Sequence, residues 1–332
     1  MRRARLLLLA AVPALVTASV YFLAPEDPGA GGAGPDLSSA YRSQAAQDAK
    51  GAEGAKAWAE RSAGAEGTEG EGTEGAKGTE GERTEGTGAD DVLAGLPPGL
   101  AAPAEKELAQ QLVASAENST LDWRSAYAYI EDIGDGQGYT AGIIGFCTGT
   151  NDLLTLVEDY TEAHPGNGLA TYLPALRAVD GTDSHEGLDP GFTAAWKAEA
   201  RVPAFQRAQD SARDRVYFDP AVRLAKLDGL GPLGQFVYYD AMVFHGPGTD
   251  PTGFYGLRER ALRKSDSPTE GGSEKAYLDT FLDIRRAAMK TRDADIDTTR
   301  VDTAQRRFLD EGNLDLRRPL EWRVYGETYR VP

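Results

Sequence analysis

The stretch YIEDIGDGQGYTAGIIGFCTGTNDLL, residues 129–154, changes its hydrophobic period twice. Glycines 134, 136 and 138 punctuate a polar turn, and the β-prone GYTAGIIGF that follows reads as a strand or hairpin. From Asn151 apolar residues return to helical spacing in NDLLTLVEDYTEAH, which Pro165 and Gly166 terminate. Upstream, Pro103 opens PAEKELAQQLVASAEN, where Leu108, Leu112, Val113 and Ala116 share a helix face; the helix runs out at ENST, leaving Glu117 on its last turn. DWRSAYAYIEDI is predicted as a second short helix.

Further helices are predicted in GLATYLPALRAV, VPAFQRAQDSARDRVYF, LGPLGQFVYYDAMVFHG, EKAYLDTFLDIRRAAMK and DTAQRRFLDEGN. The fold class is therefore mainly α with a single small β element. On the helix holding Leu278, Leu282 and Met289, Arg285 falls on the core side, and a buried guanidinium needs a carboxylate. Asp240, set among aromatic and aliphatic neighbours in FVYYDAMVF, has the complementary need. The two are expected to meet, with Arg300 as a third member, in a network that burial alone assigns to structure.

The first third of the chain cannot build a core. Arg2, Arg3 and Arg5 precede an apolar run from Leu6 to Ala24, the layout of a signal peptide, so residues 1–24 are expected to direct export and, if uncleaved, to anchor the chain. Residues 25–96, rich in Gly, Glu, Thr and Ala, bury too little apolar area to offset their backbone entropy and are expected to form a disordered linker. The folded domain is expected over 97–332. The whole chain carries 35 Lys and Arg against 52 Asp and Glu, and residues 101–332 keep 26 against 37. This acidity argues against nucleic acid and anionic membranes as partners. Cys147 is the sole cysteine, which excludes an intramolecular disulfide, and its apolar surroundings predict a small buried residue.

For GDGQGYT, a calcium loop begun at Glu131 fails, because its third and twelfth positions are Ile133 and Gly142. A plain Asp-Gly hairpin turn satisfies the local pattern. The alternative is catalytic: glycosidic hydrolysis needs one protonated carboxyl and one ionised carboxylate, and Glu117 and Asp135 suit these two tasks, with Thr140 five residues beyond. Both readings stay open on spacing alone. His164, His185 and His245 lack metal-ligand spacing, no Gly-x-Ser-x-Gly elbow is present, and no phosphate loop follows a strand, so no metal or cofactor is expected.

The strings SAENSTLDW, YIEDIGDGQGYTAGIIGFCTGTNDLL, GNGLATYLPAL, DRVYFDPAV, LGQFVYYDAMVFHGPGTDP and GNLDLRRPLEW closely resemble glycoside hydrolase family 46 chitosanases of actinobacterial type, from about residue 100 onward. The resemblance implies a two-lobed, lysozyme-like fold with a substrate cleft. It also implies inverting endo-hydrolysis of β-1,4-linked glucosamine polymers, and the exported chain is expected to act as a monomer. It assigns Glu117 as general acid, Asp135 as general base and Thr140 as the holder of the attacking water. Asp152 is implied as a ligand of substrate amine, with Tyr129, Thr150 and His245 also on the substrate, and Asp240, Arg285 and Arg300 as a supporting network. Gln137 departs from the pattern, since Arg is expected between the second and third glycines. Peptidoglycan hydrolysis on the same fold and non-catalytic polysaccharide binding are the alternatives.

Overall fold

The computed structural model describes residues 93, 95–134, 136–292 and 294–332, all in one compact unit. The expected signal segment, nearly all of the expected linker, and Asp135 lie outside the described residues.

Helix α1 spans Pro103–Glu117 and buries Leu108, Leu112, Val113 and Ala116 as its spacing predicts. It joins two lobes, each with its own apolar core. Ala116 packs in the core of one lobe, whereas Ala114 packs in that of the other. The smaller lobe holds a three-stranded antiparallel sheet, β1 (Ile130–Asp132), β2 (Tyr139–Ala141) and β3 (Phe146–Cys147), in the order β1-β2-β3. Helices α2 (Asp152–Ala163), α3 (Leu173–Val179), α4 (Phe192–Glu199) and α5 (Pro203–Arg213) complete it around Leu153, Phe192, Trp196 and Phe205.

The larger lobe contains α6 (Asp219–Leu227), α7 (Pro232–His245), α8 (Phe254–Leu262), α9 (Glu274–Arg292) and α10 (Arg306–Asp310). All of α7 from Leu233 to Phe244 is buried, as its nearly unbroken apolar sequence requires. The other helices therefore wrap around it. Ile144, on the turn between β2 and β3, packs against both cores.

The structure corrects the sequence reading in three places. DWRSAYAYIEDI is not one helix: Trp123–Ala128 is 3-10, Tyr129 takes an extended backbone, and Ile130–Asp132 pairs with β2. Cross-strand hydrogen bonds available to that segment outweigh its weak helical period. A second β element, missed in the sequence, is the hairpin β4 (Leu320–Val324) and β5 (Glu327–Val331), where Leu320, Trp322 and Val324 alternate inward. Tyr325 (φ 52°) and Gly326 (φ 85°) form its turn, and two positive φ values in a two-residue connection suit the twist of the flanking strands. Finally, α4, α6 and α8 are short helices that the sequence reading did not single out.

Candidate active site

Glu117 is the last residue of α1, and its side chain is 14% exposed. It does not lie against apolar groups alone: its Oε1 accepts a hydrogen bond from Arg300 Nη2 at 2.6 Å. The same nitrogen donates to Asp240 Oδ1 at 2.7 Å, and Arg285 Nη1 reaches Asp240 Oδ2 at 2.7 Å. Asp240, Arg285 and Arg300 thus meet as burial required, each at most 1% exposed. Burial pushes the Asp240 carboxyl up, but Arg300 and Arg285 outweigh it and hold the group at about 2. Two guanidinium groups face two carboxylates. With Glu117 ionised the cluster is formally neutral, and protonating Glu117 leaves one net positive charge. Asp240 keeps a permanent counter-charge between the two arginines.

A fourth member, Gln305, was missed in the sequence. Its Oε1 accepts from Arg285 Nη1 at 2.9 Å and its Nε2 donates to Asp240 Oδ2 at 2.7 Å. Arg300–Gln305 is a π-helical turn. In an α-helix, residues five apart point about 140° away from each other. The wider π turn brings both side chains onto one carboxylate, a use typical of such turns at functional sites. A polar residue on the buried face of Val301, Ala304 and Phe308 was the available signal.

Phe244 lies beneath this cluster, its ring 4.7 Å from Arg300 Cζ and 5.7 Å from Arg285 Cζ. The next residue, His245, closes α7. Burial, and then Arg285, Arg300 and Arg292, hold its imidazole well below the usual range, so it is neutral beside the arginines, with Nε2 buried and unpartnered.

The sheet supplies the other half. Thr140, on β2, is buried opposite Cys147, and its hydroxyl is 3.4 Å from the Cys147 thiol. Asp152 is the first residue of α2, and its Oδ1 accepts from Leu153 N at 2.8 Å, Cys147 N at 2.9 Å and the Thr150 hydroxyl at 2.7 Å. Burial pushes its carboxyl up to about 6 against the pull of these bonds. All three donors fall on Oδ1. Tyr217, from the larger lobe, is near enough to feel the Asp152 charge, which places Asp152 at the junction of the lobes. Tyr129 is half-buried beside β1, with its carbonyl accepting from Gly142 N at 2.9 Å. Gln137 is 8% exposed, an inward position that suits a neutral amide. Asp135 lies outside the described residues, so it is placed only by its sequence position between Gly134 and Gly136.

Among the described residues no group of three or more His, Cys, Asp or Glu side chains is arranged to hold a metal ion. A separate hollow of about 280 Å³, lined by residues including Tyr160, His164, Arg207 and Arg215, shares no residue with this site.

Residues 111–320 match the model of glycosyl hydrolase family 46. The chain is 60% identical over 233 residues to a chitosanase of Streptomyces sp. strain N174, covering 70% of this chain and 84% of that protein. It is 41% identical over 184 residues to a chitosanase of Bacillus subtilis strain 168, covering 54% of this chain and 66% of the relative. Among solved structures, chitosanase OU01 crystallised with substrate superposes with a TM-score of 0.68 at 52% identity, covering 70% of this chain and 99% of that one. A Gynuella sunshinyii chitosanase in complex with chitotetraose gives 0.63 at 32% identity, covering 68% and 97%. The family match spans most of the folded region and both halves of the site, from the end of α1 through the sheet and α7 to the Arg300 turn. The chain is a glycoside hydrolase and belongs to glycosyl hydrolase family 46.

Proposed function

We propose that this protein cleaves β-1,4 bonds within chitosan chains, acting as an exported monomer with inversion at the anomeric carbon. Glu117 donates its proton to the leaving glycosidic oxygen, while Asp135 takes a proton from the attacking water, which the Thr140 hydroxyl helps to hold. Inversion requires the two carboxyl groups to stand about 6.5–9.5 Å apart, leaving room for that water. Arg300 aims Glu117 and is itself fixed by Asp240. The observation that carries this reading is the Glu117–Arg300–Asp240 chain of contacts, which presents one ionisable carboxyl beside a buried, charge-compensated clamp. Recognition of a polycation fits the acidic folded domain and Asp152, whose Oδ2 is left for a substrate ammonium while Oδ1 takes the internal bonds. Tyr129, Thr150 and His245 complete the proposed binding set.

The test is to incubate the purified protein with fully deacetylated chitosan, following viscosity and the anomer formed by proton NMR. A steep early fall in viscosity with α-anomeric product supports an inverting endo-enzyme. Clearing of a peptidoglycan suspension without chitosan shortening, or retention on chitosan without cleavage, would overturn the proposal.

A further inference from the structure

The hairpin connecting β1 to β2 is braced from outside by residues 180–191, the segment between α3 and α4. Gly149, just past β3, is wedged between that segment and the loop, where only glycine fits. A Cβ on Gly149 would lie 2.3 Å from Thr182 O and 2.9 Å from Gln137 O, and Gly138 sits at φ 71° with the Asp183 backbone 3.8 Å from where its Cβ would be. His185 stands in this segment, its backbone fixed by a turn in which Leu188 N and Asp189 N bond to its carbonyl.

Its imidazole touches both feet of the loop. The ring stacks on Tyr139, the first residue of β2, with centroids 4.0 Å apart and planes within 10°. Its Nε2 lies 3.3 Å from Oδ2 of Asp132, the last residue of β1 and the register partner of Tyr139. The other oxygen of Asp132 accepts from Gly134 N at 2.8 Å. Contacts therefore run from the imidazole past one carboxylate to the amide of Gly134, the residue before Asp135 in sequence. On the far side, Nδ1 is 3.7 Å from Asp189 Oδ2, and Asp189 Oδ1 accepts from the Tyr139 hydroxyl at 2.7 Å. Two carboxylates, one phenol and one imidazole close a ring around the stem.

We infer that His185 is a positioning residue for hydrolysis: by stacking on Tyr139 and filling the space between the Asp132 and Asp189 carboxylates it sets the register and pitch of the loop that carries Asp135. The inference rests on the proposed role of Asp135 as general base. A displacement of about 1 Å at a reacting group costs as much as a hundredfold in rate, so small errors at the stem matter at the loop. The side chain acts through the stem, not on the sugar, and its loss is expected in kcat rather than KM.

The experiment measures kcat, KM and Tm on a soluble glucosamine hexamer for His185→Phe, His185→Arg, Asp132→Asn and Asp135→Asn. Phenylalanine keeps the stack and removes the ring nitrogens that face the two carboxylates; arginine is planar, stacks and can bond to both carboxylates. The expected result is roughly a tenfold loss of kcat in His185→Phe and Asp132→Asn, with KM within about twofold, Tm within about 3 °C, and recovery to about threefold of wild type in His185→Arg. Wild-type kcat in His185→Phe, a loss confined to KM, or a loss that tracks Tm and is not rescued by arginine would overturn the positioning role. If Asp135→Asn is inactive while His185→Phe is unaffected, only this inference fails; substantial turnover by Asp135→Asn would remove the base assignment and the inference with it.

Discussion

Replacing Asp240 by alanine removes the carboxylate shared by two buried guanidinium groups. Arg285 is 0% and Arg300 1% exposed, and Asp240 takes 2.7 Å contacts from both and from Gln305 Nε2. Breaking a buried pair by deleting one partner costs about 3–5 kcal/mol, because the remaining charge stays desolvated. At roughly 2–4 °C per kcal/mol for a domain of this size, Asp240→Ala should melt about 6–20 °C below wild type. A melt near neutral pH followed by near-ultraviolet circular dichroism provides the assay. Substituting Arg285→Met in the same chain should recover part of the loss, since a matched apolar side chain replaces a stranded charge. The pH dependence is also fixed in sign. Asp240 is held at about 2 against an ordinary 3.8, so its contribution is fully present above 3.8 and fades as pH falls toward 2. That interval corresponds to about 2 kcal/mol. The stability gap between wild type and Asp240→Asn should therefore narrow across it. A Tm within 2 °C of wild type for Asp240→Ala would refute the charge-stranding argument.

Asp152→Asn should stabilise the protein while weakening substrate binding. Its carboxyl is raised to about 6, so the folded state loses stability as pH rises from 3.8 through 6; allowing for partial exposure, asparagine should gain about 1–2 kcal/mol at pH 7 and nothing below pH 3.8. Thermal melts at pH 3.5 and 7, paired with KM for glucosamine oligomers, check both signs. Gln305→Leu keeps the volume but strips Arg285 and Asp240 of one hydrogen bond each, and should lower stability by about 1–3 kcal/mol in a denaturant titration.

The helices and their buried faces were legible because apolar spacing reports burial directly. Leu108, Leu112 and Ala116, and Arg285 beside Leu278 and Leu282, lie where the 3.6-residue period puts them. Charge logic then carried Asp240, Arg285 and Arg300 together, since an ionised group in an apolar setting must find its opposite. Two misses depended on cross-strand contacts or on an altered period, whereas the short helices α4, α6 and α8 and the hairpin β4–β5 are local and were passed over. Ile130–Asp132 becomes a strand only through β2, and Gln305 joins Arg300 only because a π turn replaces an α turn. The helix end that carries Glu117 held no local sign of Arg300, which lies 183 residues further along. His185 carries no local pattern in SHEGLDP; its role emerges only when the 180–191 segment crosses the loop stem.

The proposed mechanism makes Glu117 the source of the proton that releases the leaving sugar. The direct measurement is the initial rate of reducing-end release from fully deacetylated chitosan by wild type and Glu117→Gln at matched concentration, with Tm recorded for both. Loss of one positioned general acid should lower the rate by about 10²–10⁴-fold while the fold is retained. Release by Glu117→Gln at the wild-type rate would contradict the account.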